Sequence, residues 1–128
     1  MAALGAPVTA RKKRGLTFAA LRRLALALPG VEEGTSYGTP AFRVRKKLIA
    51  RIHDETGSLV LLTDVAQKEV LLEAKPEAFH TTPHYDGHGA ILVRLDRVDP
   101  RDLEQLFEEV WRARAPRTLI AEYEAASA

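Results

Sequence analysis

With 128 residues the chain is long enough for one compact domain and too short for two of ordinary size. Hydrophobic residues make up 46% and charged residues 28%, with 8 Gly and 7 Pro, which fits a soluble globular protein and excludes collagen, coiled coil and wholesale disorder. The absence of Cys removes disulfides, thiolate metal centres and cysteine nucleophiles, and a formal net charge of +2 is too small to announce a nucleic-acid or membrane partner by itself.

The position of the charge says more than its sum. Residues 1–15 hold Arg11, Lys12, Lys13 and Arg14 and no acidic residue. Those 4 account for part of the 19 basic residues, so 15 basic residues face 17 acidic ones from Leu16 onward, a balance of −2. The segment has no apolar periodicity and is expected to be a disordered tail, either a solubilising terminus or a loose phosphate-binding arm. Residues 16–128 are expected to form a single domain. The apolar run from Leu16 to Leu28 is broken by Arg22 and Arg23, unlike a secretory leader, and no stretch approaches the roughly 20 apolar residues of a membrane span. A cytoplasmic protein with no membrane partner is the expectation.

Thr17 is placed to cap a first helix, with Phe18, Leu21, Leu24, Ala25 and Leu28 on one face and Pro29 and Gly30 ending it. Val31 to Pro40 holds Gly34, Gly38 and Pro40 and reads as an irregular linker. The period then changes to two. Ala41 to Arg45 and Leu48 to His53 alternate apolar and basic residues around Lys46 and Lys47, and Leu59 to Thr63 follows a turn, giving a three-stranded meander. Asp64, with Gln67 three residues on, caps a second helix whose stripe is Val65, Val70, Leu71 and Ala74. Phe79 to Thr82 and Ala90 to Leu95 read as two further strands around a turn at Pro83 to Gly89. Asp99 and Pro100 open a long helix with Leu103, Leu106, Phe107, Val110 and Trp111 on one side, and Leu119 to Tyr123 can add a further turn or two. The order is α-β-β-β-α-β-β-α: an α+β two-layer sandwich with a five-stranded antiparallel sheet and the helices on one face. Its open face would carry Arg43, Arg45, Arg51 and His53 beside Ile49 and Leu92.

Several patterns with catalytic associations lack their structural context. Gly34-Thr35-Ser36-Tyr37-Gly38 matches G-x-S-x-G, but a nucleophile elbow needs a strand entering and a helix leaving, the reverse of the order here. His84 and His88 stand four apart, yet Pro83, Gly87 and Gly89 argue against the helix that would aim both at one metal, which favours loop histidines over ligands. An enzyme using His84, Asp86 or His88 stays as a third reading behind two binding functions. The strongest feature is basic: Arg43, Arg45, Lys46, Lys47 and Arg51 place five cations within nine residues. They form either a solvated face that deters edge pairing or a contact surface for phosphates.

Leu28–Glu33 (LPGVEE), Tyr37–Val44 (YGTPAFRV), Lys47–Arg51 (KLIAR), Thr82–Gly87 (TPHYDG) and Leu92–Asp96 (LVRLD) together resemble the MmcQ/YjbR-like family over about residues 17–123. The resemblance implies a single α+β domain and a DNA-binding protein with a double-wing motif, its wings being β-hairpins. Carried onto this chain, the first wing holds Arg43, Arg45, Lys46, Lys47 and Arg51, while the second, around His84 to Gly89, is far less basic; Arg11, Lys12, Lys13 and Arg14 lie outside the resemblance and are expected to help the DNA contact from the tail. The expectation is a non-enzymatic protein without cofactor or metal whose partner is DNA. The competing expectation is a protein-interaction module, pairing with another protein or with itself through Ile49 and Leu92 on the open sheet face.

Overall fold

The computed structural model describes residues 15–127, so the expected tail and its Arg11, Lys12, Lys13 and Arg14 lie outside the described residues. The first helix, α1 (Phe18–Leu26), starts where the Thr17 hydroxyl accepts the Ala20 N–H at 3.1 Å. Three strands follow, β1 (Val31–Ser36), β2 (Thr39–Val44) and β3 (Lys47–Ile52), then β4 (Leu59–Leu62). Helix α2 (Val65–Ala74) is capped as expected, Asp64 accepting the Gln67 N–H at 2.8 Å. Two short strands, β5 (Phe79–His80) and β6 (Ala90–Val93), flank a single 3₁₀ turn at Pro83–Tyr85. Helices α3 (Pro100–Arg114) and α4 (Arg117–Ser127) complete the order.

The class is α+β with an antiparallel sheet, but the sheet has six strands, in the order β1-β2-β3-β4-β6-β5, and there are four helices among the described residues. The sixth strand comes from the segment expected to be a linker. Gly34, Gly38 and Pro40 do not break it: Val31 to Ser36 pairs residue by residue with Val44 to Thr39 across a two-residue turn at Tyr37-Gly38. Both turn residues have positive φ, which matches the right-handed twist of the strands they join.

Phe42, Ala50, Leu61 and Ile91 stand in register across four strands and face the main core, into which α3 sends Leu103, Phe107, Val110 and Trp111. Phe107 meets Phe42 edge-on at 6.3 Å between ring centroids. The Trp111 indole N–H donates to the Pro29 carbonyl at 2.9 Å, tying α3 to the end of α1. On α1 the buried residues are Leu21 and Ala25, while Arg22 pairs with Glu33 of β1.

Ile49 does not lie on an open face. The pairing slips between Phe42 and Arg43: Phe42 opposes Ala50 and Arg43 opposes Leu48, which leaves Ile49 as the extra residue of a β-bulge. Ile49 and Ala50 are both fully buried in the main core. Leu92 is also fully buried, in a second cluster with Val60, Ala90 and Tyr85 on the other side of the sheet. The two apolar anchors of the protein-interaction expectation are therefore core residues. Truncation of Ile49 to Ala is expected to cost about 2–4 kcal/mol of unfolding free energy in urea titration, the range for a buried branched side chain; a loss within experimental error would return Ile49 to the surface.

Candidate functional site

The five hairpin cations do not act as one cluster. Arg45 and Lys46 are the central residues of the β2–β3 turn, at φ +50° and +72°, and with Lys47 they are exposed at its tip. Among the described residues none of the three makes an ion pair. Arg43 is turned back across the sheet: its guanidinium passes Gly34 and donates to the Thr35 carbonyl at 3.1 Å. Arg51, at the far end of β3, donates to the Tyr85 hydroxyl and sits 5.6 Å from the Tyr37 ring centroid.

The His84 to Gly89 segment does not project as a second hairpin arm. It lies against the outer sheet face, where Tyr85 covers Val60 and Leu92, and His84 stands edge-on to Tyr85 at 4.8 Å. Its fastening is Lys68, which is not in the stripe Val65, Val70, Leu71 and Ala74 expected for α2. Lys68 is 4% exposed, and its ammonium donates to the carbonyls of Tyr85 at 2.6 Å and His88 at 3.0 Å. The position could have been found, because Lys68 precedes Leu71 and Leu72 by three and four residues and so shares their inward face. Of the expected stripe Leu71 packs against the core, while Val65 and Val70 are exposed. Desolvation pushes the Lys68 pKa below its ordinary 10.5, and the Asp86 carboxylate partly offsets this. The close approach of this layer also depends on Gly89, where a Cβ would stand 2.5 Å from the Thr63 carbonyl oxygen.

The remaining histidines are dispersed. His53 bonds Thr56 through Nδ1, and His80 Nε2 lies 3.1 Å from the Ser58 hydroxyl. Burial first, then the charges of Arg94 and His53, lowers the His80 pKa. Among the described residues no three His, Asp or Glu side chains converge to hold a metal ion. Ser36 ends a strand that returns as another strand across the Tyr37-Gly38 turn, so the surroundings of a nucleophile elbow are missing. No described helix is long and apolar enough to cross a membrane.

Residues 26–113 match the sequence model of the YjbR family. The chain belongs to the YjbR family. The matched span runs from the last residue of α1 almost to the end of α3, so it takes in both two-residue turns and the Lys68-fastened layer. Similar relatives include the uncharacterized protein Mb2600 of Mycobacterium bovis and the uncharacterized protein Rv2570 of Mycobacterium tuberculosis, each 43% identical over 61 residues. Those residues are 48% of this chain and 47% of each relative, so the chain spans about half the length of the curated relatives it matches. No solved structure matches it.

In this YjbR chain the lowered Lys68 pKa has a consequence with a definite sign. As pH rises, the folded state releases the Lys68 proton before the unfolded chain does, so stability rises between the lowered pKa and 10.5 and that gain is lost as pH falls through the folded value. Urea unfolding of the wild type and Lys68→Met from about pH 8 to about pH 10 should show the wild type gaining on the variant; parallel curves would mean that burial does not perturb the amine.

Proposed function

We propose that this YjbR protein is a cytoplasmic, non-enzymatic DNA-binding protein that holds duplex phosphates with the β2–β3 turn, used as a single projecting wing. The observation that carries the reading is the pair Arg45-Lys46 at positive φ. Two-residue turns of this kind favour Asn-Gly, and a side chain held in the left-handed region costs on the order of 1 kcal/mol. Two long cations held there, with Lys47 beside them, give the tip three charges free to meet phosphate oxygens. The double-wing expectation attached to the family supports a hairpin reader. In this chain the second arm is packed down under Lys68, which leaves one wing for the contact.

Helix α4 starts at the same end of the sheet. Leu119 and Val44 both meet the space beside Gly30, within 2.5 and 3.6 Å of where its Cβ would lie, so α4 begins near the turn with exposed Arg117. Arg43 and Arg51 are assigned to the sheet itself, because each guanidinium already has an acceptor within the fold.

Fluorescence anisotropy with a duplex of about 20 base pairs, repeated across salt concentrations, tests the proposal. Replacing Arg45, Lys46 and Lys47 by Ala should lower the slope of log K against log salt by about 2–3, close to one unit for each phosphate no longer neutralised; an unchanged slope would sink the reading. The double substitution R45N/K46G should weaken binding too, while raising unfolding stability by ~1 kcal/mol through relief of turn strain. A loss of stability in that variant would show that the turn cations serve the fold instead.

A further inference from the structure

A second feature lies where β4 and β6 meet the end of α3, and it does not rest on the duplex reading. Leu62, the last residue of β4, stands in register with Ala90, the first of β6, and the neighbouring Thr63 and Gly89 approach as closely as described above. Two clefts adjoin here and share Leu62, Thr63 and Arg114 as wall. The larger, of about 420 Å³, takes in Asp64 and Gln67 at the start of α2 and a stretch of α3 that includes Glu109. The smaller, of about 340 Å³, is completed by His84, Tyr85, His88, Gly89 and Ala90.

Arg114 is the last residue of α3 and is half-buried, yet among the described residues it makes no ion pair. Its Nη1 donates to the Val110 carbonyl one turn back at 3.4 Å, the outer limit of a hydrogen bond. Nε–H and Nη2–H, the side-on edge of the guanidinium fork, have no acceptor among the described residues. Burial pushes the Arg114 pKa below its ordinary value, with no carboxylate to offset the loss of water. A guanidinium does not shed its proton, so a desolvated one without a counter-charge is a cost that an anion removes. Asp64 and Glu109 give the larger cleft an acidic wall, whereas no residue lining the smaller one is acidic. Asp86, from the same segment, lies outside that lining and is answered by Lys68. Leu62 and Ala90 are apolar, and Tyr85 spends its hydroxyl on Arg51. His84, edge-on to Tyr85, and His88 are exposed and bring ring N–H donors to the rim.

We propose that the smaller cleft binds a small organic carboxylate with an apolar body, its two oxygens on Nε–H and Nη2–H of Arg114 and its body against Leu62, Tyr85 and Ala90. Two parallel N–H donors match the two oxygens of a carboxylate. A phosphate dianion would bring a second charge against an apolar wall that holds one fixed cation, at a desolvation cost that a monoanion avoids. The free guanidinium edge, the lack of acidic lining and the apolar wall together select the ligand class.

The test is titration of the isotopically labelled full chain, followed by NMR at the backbone amides of Thr63 and Gly89. The probes are benzoate, benzamide, acetate and inorganic phosphate. Benzoate is expected to bind at least about tenfold more tightly than benzamide, which keeps the ring without the charge, and than acetate, which keeps the charge without the ring. Arg114→Lys, which keeps the charge and removes the fork, should weaken benzoate about tenfold. Arg114→Gln should reduce benzoate to the level of benzamide without lowering the thermal midpoint, because it removes an unpaired half-buried charge. No response to benzoate, a response to benzamide or acetate equal to that of benzoate, or phosphate bound as tightly as benzoate would overturn the proposal. So would benzoate affinity unchanged in Arg114→Gln. Should that variant unfold, Arg114→Lys decides, and unchanged benzoate affinity there overturns the proposal as well.

Discussion

Two tight turns set the geometry on which the rest of the sheet depends. Tyr37-Gly38 joins β1 to β2 and Arg45-Lys46 joins β2 to β3, and all four residues have positive φ. A two-residue turn with that twist lets the flanking strands stay paired up to the tip, and so fixes the register on both sides of β2. The register in turn puts Phe42 opposite Ala50 and carries the row through Leu61 to Ile91. Among the described residues, the non-glycine positions with positive φ are Tyr37, Arg45 and Lys46, all within these turns. Backbone strain is thus confined to two tips, one carrying an exposed aromatic ring and the other three cations.

The layer on the far side of the sheet has a different cause. A two-layer fold would leave Val60 and Leu92 facing water, and the fold covers them with Tyr85 from an irregular segment. Irregular backbone laid against a sheet must satisfy its own carbonyls, and the Lys68 ammonium does this for Tyr85 and His88 at once. The same fastening places the Tyr85 hydroxyl against Arg51, so α2 indirectly shapes the polar surface beside Tyr37. Lys68 thereby couples packing to that surface without itself reaching it.

The helices were legible because their signals are local. Thr17, Asp64 and Asp99 cap where their residue types predict, and the apolar face of α3 is the one its spacing predicts. β1 was not legible, because Val31–Ser36 buries only its first residue and its pairing is specified by the turn and by β2 rather than by alternation of its own. The bulge at Ile49 inverts a period-two reading for the same reason: one extra residue moves a side chain to the other face, and nothing in the local pattern announces it. At the candidate site the sequence located the cations but not their division. Arg43 and Arg51 belong to the sheet while Arg45, Lys46 and Lys47 stand free, and that distinction is made by acceptors distant in the chain, Thr35 and Tyr85.

The small net charge now has a structural meaning. β2 spans six residues, so its two end turns are about 17 Å apart at the usual rise per residue. That exceeds the Debye length of roughly 8–10 Å at physiological ionic strength, so the carboxylates of Asp54 and Glu55, which share a cleft with Tyr37 at one end, are largely screened from the cations at the other. A ligand at either tip responds to the charges within its own screening distance, and the −2 balance from Leu16 onward describes neither place. One short strand therefore holds apart a basic tip and an aromatic tip, a separation that chain totals average away.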